Sequence, residues 1–314
     1  MKKLFLIMFM CLCSLLVFSG CQKKETFDDS MNITKYSRDS ESGTRDGFFT
    51  AIGYKEAKSD DTKIPGFIKA NDNANMISLV KNDMYGIGYI SLASLEGSSL
   101  KALQYEGVEA SEAAVVDGSY KLSRNFNYIT KGESDCTKEE WLLIKGFIAF
   151  MNSKEGLAIV KSKDGILTQS IASAKSFDQI LEENAELKAI CAREDLTVEI
   201  KIGGSTSVEK IALSLSESFK KVCKPFVPVH NHTGSGAAYK GTQGSEKDGI
   251  NGMHIGFLSR ELSSSEPALE NTSGLLCKDG IVVVVNSKNT LLNNVTKEQL
   301  KKIYSTEKIK WNEL

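Results

Sequence analysis

The sequence has no excess of positive charge and few of the side chains on which hydrolases and metalloproteins depend. It carries 39 lysines and arginines against 40 acidic residues, which disfavours nucleic-acid binding. Histidine occurs only at His230, His232 and His254, without an evident acid partner, and there is no G-x-S-x-G motif. The HNH triplet lacks a third ligand at a helical or hairpin spacing. The residues therefore indicate no hydrolase and no metal site.

The N-terminus carries an apolar run too short to be a stable membrane span. Lys2 and Lys3 precede the uncharged segment 4–18, which is typical of a secretory signal peptide over residues 1–20. The closing S-G-C resembles a bacterial lipobox and predicts that Cys21 becomes the lipid-modified first residue of the mature chain. An ordinary cleaved signal with an incidental cysteine is the alternative. Residues 21–28 would then tether a body at the extracytoplasmic face of the membrane.

Removal of the signal peptide takes two lysines and no acid, which leaves 37 basic and 40 acidic residues and a net charge of about −3. The remaining length suffices for one large core or two smaller ones, and two lobes are favoured. Four cysteines remain beyond Cys21, with a spacing that matches no zinc pattern. They allow three disulfide pairings or buried thiols: Cys136, Cys191, Cys223 and Cys277.

Short apolar runs alternate with helix-period segments, which predicts an α/β fold. Residues 86–92 and 280–286 read as buried strands. A helix over 138–160 is expected to break near Asn152 and Ser153. Its expected apolar face consists of Trp141, Ile144, Ile148 and Met151. A second helix, within 207–222, has the expected stripe Val208, Ile211, Ala212, Leu215, Phe219 and Val222. Segment 171–195 is charged and reads as a connector.

Three turns share one physical device for holding an anion. GGSTSVEK (203–210) and HTGSGAAY (232–239) place glycines and hydroxyls where a helix begins, and unpaired N–H groups give that end a positive partial charge. RDSESGT (38–44) adds a full charge, Arg38, whose fork can bind two oxygens of an oxyanion. Each turn alone is more typical of a helix N-cap. Three of them without a nearby catalytic base favour oxyanion binding.

Nine segments taken together resemble one known family. They are SRDSESGTRDGFF, IGYISLASL, YKLSRNF, FIAFMNSKEGLAIV, GGSTSVEKIALSLSESF, HTGSGAAY, HIGFLSREL, DGIVVVVN and VTKEQLKKIYSTEKIKWNEL. Over residues 31–170 and 196–314 the chain resembles the phosphate-binding lipoprotein of high-affinity phosphate ABC transporters. The resemblance implies a two-lobed α/β periplasmic-binding-protein fold of type II with two hinge crossover strands. It also implies partnership with a membrane permease and its ATPase, and a monomer without cofactor or catalysis.

The order of these segments differs from the family's order. In the family, the GSTS segment comes first, and the R-x-x-x-S-G-T segment follows a segment like the C-terminus of this chain. The chain therefore looks circularly permuted. Mapped onto the fold, DGIVVVVN and SYKLSRNF would be the crossovers. Residues 118–285 would form a continuous lobe that includes the connector. Residues 29–117 and 286–314 would form the other lobe.

The resemblance also implies which residues hold inorganic phosphate. The continuous lobe would contribute Thr206, Ser207, Ser235 and Ser259. The other lobe would contribute Arg38, Ser42, Gly43 and Thr44. Closure of the lobes would bury the anion in a form that the permease recognises.

Two positions leave the choice of oxyanion open. Ser259 stands where some members carry an aspartate acceptor, and His254 replaces an aspartate common in that motif. A hydroxyl accepts a hydrogen bond but does not repel a fully ionised sulfate. Sulfate or molybdate therefore remains an alternative ligand. A surface adhesion or signalling module with a degenerate pocket, and a phosphoryl-transferring enzyme, are alternatives of other classes.

Overall fold

The computed structural model describes residues 26–314, so the predicted signal peptide and Cys21 lie outside the described residues. The strands are β1 Thr34–Arg38, β2 Ile68–Ala70, β3 Gly86–Ser91, β4 Lys101–Ala102, β5 Gln104–Tyr105, β6 Ser123–Thr130, β7 Val198–Gly204, β8 Phe226–Asn231, β9 Ile255–Leu258, β10 Ser273–Val285 and β11 Asn294–Val295. The helices are α1 Gly43–Ala51, α2 Asn73–Asn82, α3 Glu112–Val116, α4 Lys138–Met151, α5 Lys154–Ser162, α6 Phe177–Glu183, α7 Ala185–Cys191, α8 Glu209–Val222, α9 Ser235–Thr242 and α10 Lys297–Ser305.

Across residues 26–314, none of the helices combines the length and the apolarity that a bilayer crossing requires.

The main sheet consists of two parallel parts joined by two antiparallel strands. Its order is β2-β1-β3-β10-β6-β9-β7-β8, with β4 also on β10. β1 pairs in parallel with β2 and β3, and β7 pairs in parallel with β8 and β9. β10 is antiparallel to β3 through Ile281–Val285 and to β6 through Ser273–Gly280. β6 and β10 therefore join the two parallel parts, and they overlap the two predicted crossover segments 119–126 and 279–286.

Two large apolar clusters flank these crossovers. One is built around Phe147, Phe219 and Phe226 and draws its buried residues from positions 126–277. The other is built around Phe48, Tyr89 and Tyr304 and draws them from 33–122 and 281–311, together with Ile166. Aromatic side chains bury the largest apolar areas, so these rings dominate the stability of each cluster. This is the two-lobed α/β arrangement expected from the sequence.

The two strong helix predictions are confirmed, with a correction to each apolar face. α4 and α5 are separated at Asn152 and Ser153, where Ser153 caps α5. The buried face of α4 includes Leu143, Phe147 and Phe150, whereas Trp141 and Ile148 are only partly buried. Val222, which the sequence places on the apolar stripe of α8, is 47% exposed, whereas Phe219 in the same turn is fully buried.

The connector is folded and joins the core. Phe177, Leu187 and Ile190, on α6 and α7, are buried against the cluster that contains α4. A disulfide links Cys191 at the end of α7 to Cys223 at the end of α8. Cys136 and Cys277 are free thiols, the second of them buried. The structure thus combines the alternatives that the sequence leaves open, with one disulfide and two free thiols.

Candidate functional site

The three predicted turns lie together beside the crossovers. β1 ends at Arg38, and the chain then enters α1 with Ser42 as its N-cap. β7 ends at Gly204 and leads through the turn 205–208 into α8, while α9 begins at Ser235. The carboxyl ends of parallel strands meet at one edge of a sheet, which is where ligands bind in open α/β folds. Hydrogen bonds between the turns confirm that they converge.

Arg38 is the charged centre of this site. Its side chain is 1% exposed, and Nη2 donates to Asn71 O at 2.9 Å and to Thr206 Oγ1 at 3.1 Å. Neither Nε nor Nη1 finds an acceptor within residues 26–314, although both are buried. Burial lowers the pKa of Arg38 from its ordinary value, yet a guanidinium stays charged in proteins. Two unpaired donors on a buried cation call for an anionic acceptor, since each costs about 1–3 kcal/mol while unsatisfied.

Hydroxyl groups from both sides meet next to Arg38. Thr44 Oγ1 lies 2.9 Å from Ser207 Oγ, and Asn73 Nδ2 donates to the same Ser207 oxygen at 3.4 Å. Gly43 packs so tightly that an added Cβ would come within 2.4 Å of both Ser235 Oγ and Ser259 Oγ. Only a residue without a side chain permits this approach.

Three serines form a connected wall on the far side of the site. Ser205 Oγ accepts from Ser207 N–H at 3.2 Å and donates to Ser259 Oγ at 2.9 Å. Ser235 Oγ accepts from Ser259 N–H at 2.9 Å and lies 3.1 Å from Ser259 Oγ. All three serines are buried. Each hydroxyl can turn its proton towards a ligand or towards its neighbour, so the wall can act as donor or acceptor.

The backbone brings the two sides into contact at Glu41. Gly236 N–H donates to Glu41 O at 3.2 Å, and Lys240 Nζ lies 3.2 Å from Glu41 Oε2. Gly234 enters α9 at φ 145°, a conformation that L side chains rarely adopt. An added Cβ on Gly236 would collide with the Glu41 carboxylate. The glycines of GSG thus permit closure of the site.

Arg38 is positioned by a second buried arginine and a tyrosine. Arg45 Nη1 donates to Arg38 O at 3.0 Å, and its Nε donates to Ala57 O at 2.8 Å. The same guanidinium forms an ion pair with Asp61. Tyr89 OH accepts from Arg38 N–H at 3.2 Å. The backbone of Arg38 is therefore held from both directions.

A buried ion pair ties the crossovers together behind the site. Arg124 of β6 contacts Asp279 of β10 at 2.7 Å, and Ser91 Oγ donates to the same carboxyl group at 2.8 Å. Ser91 N–H donates to Asn73 Oδ1 at 3.4 Å, and Asn73 in turn reaches Ser207. Contacts of this kind orient the side chains that face a ligand.

Seven of the eight residues that the resemblance implies meet at this convergence, whereas the Ser42 hydroxyl caps α1 and lines the neighbouring cavity. The sequence prediction missed four polar residues. Ser205 sits inside the predicted turn, whereas Asn73, Arg124 and Asp279 follow no motif on which the prediction rested. The expectation that the histidines lack an acid partner is wrong for His254. Its Nε2 lies 3.3 Å from Glu140 Oε1. Within residues 26–314 no group of three or more His, Cys, Asp or Glu side chains could hold a metal.

A cavity of about 930 Å³ opens beside the convergence. It reaches Ser42, Arg124 and Gly236 but not Arg38, Thr44 or Ser207. Its other walls carry both signs of charge, with Lys58 and Glu261 among them. The cavity is therefore an open cleft outside the enclosed site.

Comparisons with known proteins identify the family. Residues 183–314 match the model of a PBP superfamily domain. The chain is 32% identical over 289 residues to phosphate-binding protein PstS 2 of Streptococcus pneumoniae serotype 4, covering 91% of this chain and 88% of that protein. It is 29% identical over 305 residues to phosphate-binding protein PstS 2 of Streptococcus agalactiae serotype V, covering 95% and 93%.

A solved structure gives the same result for the fold. The crystal structure of a phosphate-binding protein of a phosphate ABC transporter from Streptococcus pneumoniae TIGR4 superimposes with a TM-score of 0.64 at 28% identity. The superposition covers 90% of this chain and 99% of that one. The chain belongs to the PstS family of phosphate-binding proteins, within the periplasmic-binding-protein superfamily.

Proposed function

We propose that this protein is a lipid-anchored solute-binding protein that captures inorganic phosphate outside the cytoplasm and delivers it to an ABC transporter permease. The site is formed by Arg38, Ser42, Gly43 and Thr44 on one side and by Thr206, Ser207, Ser235 and Ser259 on the other. Membership of the PstS family supports the ligand class, and the enclosed geometry supports capture between two lobes.

The observation that carries the proposal is the pair of unpaired Arg38 donors within a shell of hydroxyls. Charge-assisted hydrogen bonds contribute about 1.5–3 kcal/mol each, and micromolar affinity needs about 8 kcal/mol. Two such bonds, together with several from hydroxyls and turn amides, suffice for that affinity.

Calorimetry with phosphate, sulfate and molybdate tests the proposal. We expect saturable one-to-one binding of phosphate at micromolar or lower Kd. Absence of heat with all three anions would refute oxyanion capture and favour a surface adhesion or signalling module. The titration is done on protein freed of bound anion by dialysis after mild denaturation and refolding.

A second oxyanion ligand is favoured by one feature of the site. The hydrogen bonds of the site hydroxyls go to other hydroxyls, amides and Arg38, and none goes to a carboxylate among the described residues. A wall of hydroxyls does not reject a fully ionised anion by charge. A sulfate affinity close to the phosphate affinity would favour a general oxyanion-binding protein over one that selects phosphate.

The site has no feature of a phosphoryl-transferring enzyme. Its Ser and Thr hydroxyls hydrogen-bond to one another, and no general base contacts them among residues 26–314. We therefore propose binding without catalysis and without a cofactor. Turnover of p-nitrophenyl phosphate that is lost in an Arg38→Ala variant would contradict this.

Anchoring and partners complete the proposal. Lipidation of Cys21, cleavage after residue 20 and a tether over 21–28 would place a monomer at the outer face of the membrane, beside the permease and its ATPase. Incorporation of labelled palmitate into the wild-type protein, and its loss in Cys21→Ala, would test the anchor.

We also propose the lobe boundaries and the permuted order. We assign 118–285 to one lobe, and 29–117 with 286–314 to the other. The C-terminal segment runs beside the start of the chain, where Ile33 N–H donates to Ile309 O and Asn312 N–H donates to Asp29 O, both at 2.8 Å. Adjacent ends are what a circular permutation requires. Residues 29–117 expressed alone should show no cooperative melt.

A further inference from the structure

Two histidines lie on one face of β8 and its extension, behind the turn 205–208. His230 and His232 are two residues apart in a strand, so their side chains point the same way. The rings stack with centroids 5.4 Å apart and an interplanar angle of 16°. Both are half-buried, and neither is among the residues to which a role in phosphate binding has been assigned above.

A continuous chain of hydrogen bonds runs through both rings to the site. Ser216 Oγ on α8 lies 2.8 Å from His230 Nε2, and His230 Nδ1 lies 3.1 Å from His232 Nε2. His232 Nδ1 lies 3.1 Å from the carbonyl oxygen of Ser205. Ser205 is the residue whose hydroxyl joins the serine wall at Ser259. His232 therefore holds the anion turn by its backbone while Ser259 holds it by the side chain.

The acceptors fix the tautomers of both rings. The Ser205 carbonyl can only accept, so His232 Nδ1 carries a proton and its neutral Nε2 accepts. His230 Nδ1 then donates to it, which leaves His230 Nε2 to accept from the Ser216 hydroxyl. Both neutral rings thus have one consistent arrangement, with every ring nitrogen paired.

The chain can also take up one proton without losing a bond. A proton on His230 Nε2 would donate to Ser216 Oγ, whose own hydroxyl has a second acceptor in Leu213 O at 3.0 Å. A second proton would put hydrogens on both His230 Nδ1 and His232 Nε2. These two atoms are 3.1 Å apart, so their hydrogens would face each other and the hydrogen bond between the rings would be lost. The pair therefore titrates as a unit that holds a single extra proton.

We propose that His232 is a positioning residue for the anion-binding turn and that the His230–His232 pair couples anion binding to the uptake of one proton. The proposal rests on the proposed oxyanion function and deepens it. A cation behind the turn attracts the anion, and by linkage the bound anion raises the proton affinity of the pair. Glu217 of α8 is the charged group that faces His230, while His232 faces His230 and the Ser205 carbonyl.

Two substitutions of His232 distinguish a role in positioning the turn from a role in packing alone. His232→Asn keeps a donor near the Nδ1 position, whereas His232→Ala removes it. We expect His232→Ala to weaken phosphate binding about fivefold, the worth of one hydrogen bond, and His232→Asn to stay within about twofold of wild type. Equal affinities of wild type and His232→Ala at pH 7.5 would overturn the positioning role.

The proton coupling is tested with His230→Asn, which keeps a donor towards His232 but cannot take a proton. The ratio of wild-type to variant association constants cancels the titration of phosphate itself. We expect that ratio to rise about threefold between pH 7.5 and pH 5. A ratio that stays constant over this range would refute the coupling.

Nitrogen-15 NMR of the histidine rings tests the hydrogen-bond chain Ser216–His230–His232–Ser205, here called the relay, independently of ligand affinity. We expect Nδ1–H tautomers for both residues at pH 7.5, and a single proton taken up by the pair on acidification. An Nε2–H tautomer at His232 would refute the relay. If wild-type protein binds no phosphate, the proposed function fails, whereas the tautomers and the one-proton titration still test the relay.

Discussion

The two sides of the proposed anion site are built from different chemistry. The side at the end of β1 has a buried cation, Arg38, supported by Arg45 and Tyr89. The side at the ends of β7 and β9 contributes no charged group of its own among the described residues. The only charged group that contacts its hydroxyls there is Arg38 from the opposite side. It offers Ser205, Ser259 and their neighbours, linked through neutral hydrogen bonds.

This difference assigns different tasks to the two sides. A buried guanidinium supplies most of the attraction for an anion, because its charge-assisted bonds are about twice as strong as neutral ones. Hydroxyls supply geometry, since each can turn to meet an ionised or a protonated oxygen. Substitutions on the first side should remove affinity, and substitutions on the second should change it in smaller steps.

The largest effect is expected from Arg38→Ala. The variant loses two charge-assisted bonds and the neutralising charge, about 3–5 kcal/mol, which lowers affinity by a factor of several hundred or more. Calorimetry with phosphate measures it. Circular dichroism checks that the variant is folded, because it also loses the bonds from Arg38 Nη2 to Asn71 O and Thr206 Oγ1. Arg193→Ala, which removes an exposed arginine paired with Asp195, is the matched control. Tight binding in Arg38→Ala would refute the site.

Gly43→Ala should have the next largest effect. Its Cβ would lie within 2.4 Å of Ser235 Oγ and Ser259 Oγ, so the two sides could not close without displacing the serine wall. Overpacking of this kind costs about 1–3 kcal/mol, and we expect phosphate affinity to fall at least tenfold. Gly249→Ala, whose Cβ would meet its nearest neighbour at 3.5 Å, should bind as wild type does. Unchanged affinity in Gly43→Ala would show that the sides do not close in this way on the ligand.

Substitutions in the serine wall should cost less and should not be additive. Ser259→Ala and Ser205→Ala each remove neutral hydrogen bonds of the wall, and we expect each to cost about 1 kcal/mol, or roughly fivefold in affinity. Because Ser205 Oγ donates to Ser259 Oγ, the double variant should lose less than the sum. A double-mutant cycle by calorimetry measures the coupling, and strict additivity would contradict the linked wall.

Much of the fold, and the convergence of the three turns at the candidate site, could be predicted from the sequence. Apolar runs and helix periodicity predict β3, α4 and α8, because burial on one face imposes these patterns. The turns could be predicted because glycines and hydroxyls before a helix have a recognisable spacing. The chemistry of RDSESGT made Arg38 stand out as the charged residue.

What the sequence could not predict are contacts between distant segments. The Arg124–Asp279 pair joins residues 155 positions apart, and nothing local in either segment signals the other. Asn73 enters the site because β2 lies beside β1. His254 finds Glu140 in the same way. The pairing of Cys191 with Cys223 likewise depends on the fold bringing the end of α7 next to the end of α8.

The last prediction concerns stability at acid pH on the hydroxyl side, and not affinity for the anion. Burial, with a contribution from His230, lowers the pKa of His232 to about 4, against about 6.5 in an unfolded chain. Between these values the unfolded state binds a proton that the folded His232 does not, so stability falls as pH falls through this window.

Replacement of His232 by Asn removes this term and should flatten the dependence. We expect the free energy of unfolding of wild type, minus that of His232→Asn, to fall by roughly 0.5–1 kcal/mol for each pH unit below pH 6.5. Urea denaturation at pH 7.5, 6 and 4.5 measures it, and the titrating groups other than the coupled His230 cancel in the comparison. Arg38 stays charged throughout this pH range and contributes no such loss of stability. A loss of stability in acid that depends on His232 would therefore distinguish the hydroxyl side from the side that carries Arg38. Parallel pH profiles of the two proteins would instead mean that His232 is as protonated in the folded protein as in the unfolded chain, and the neutral relay behind the turn would be wrong.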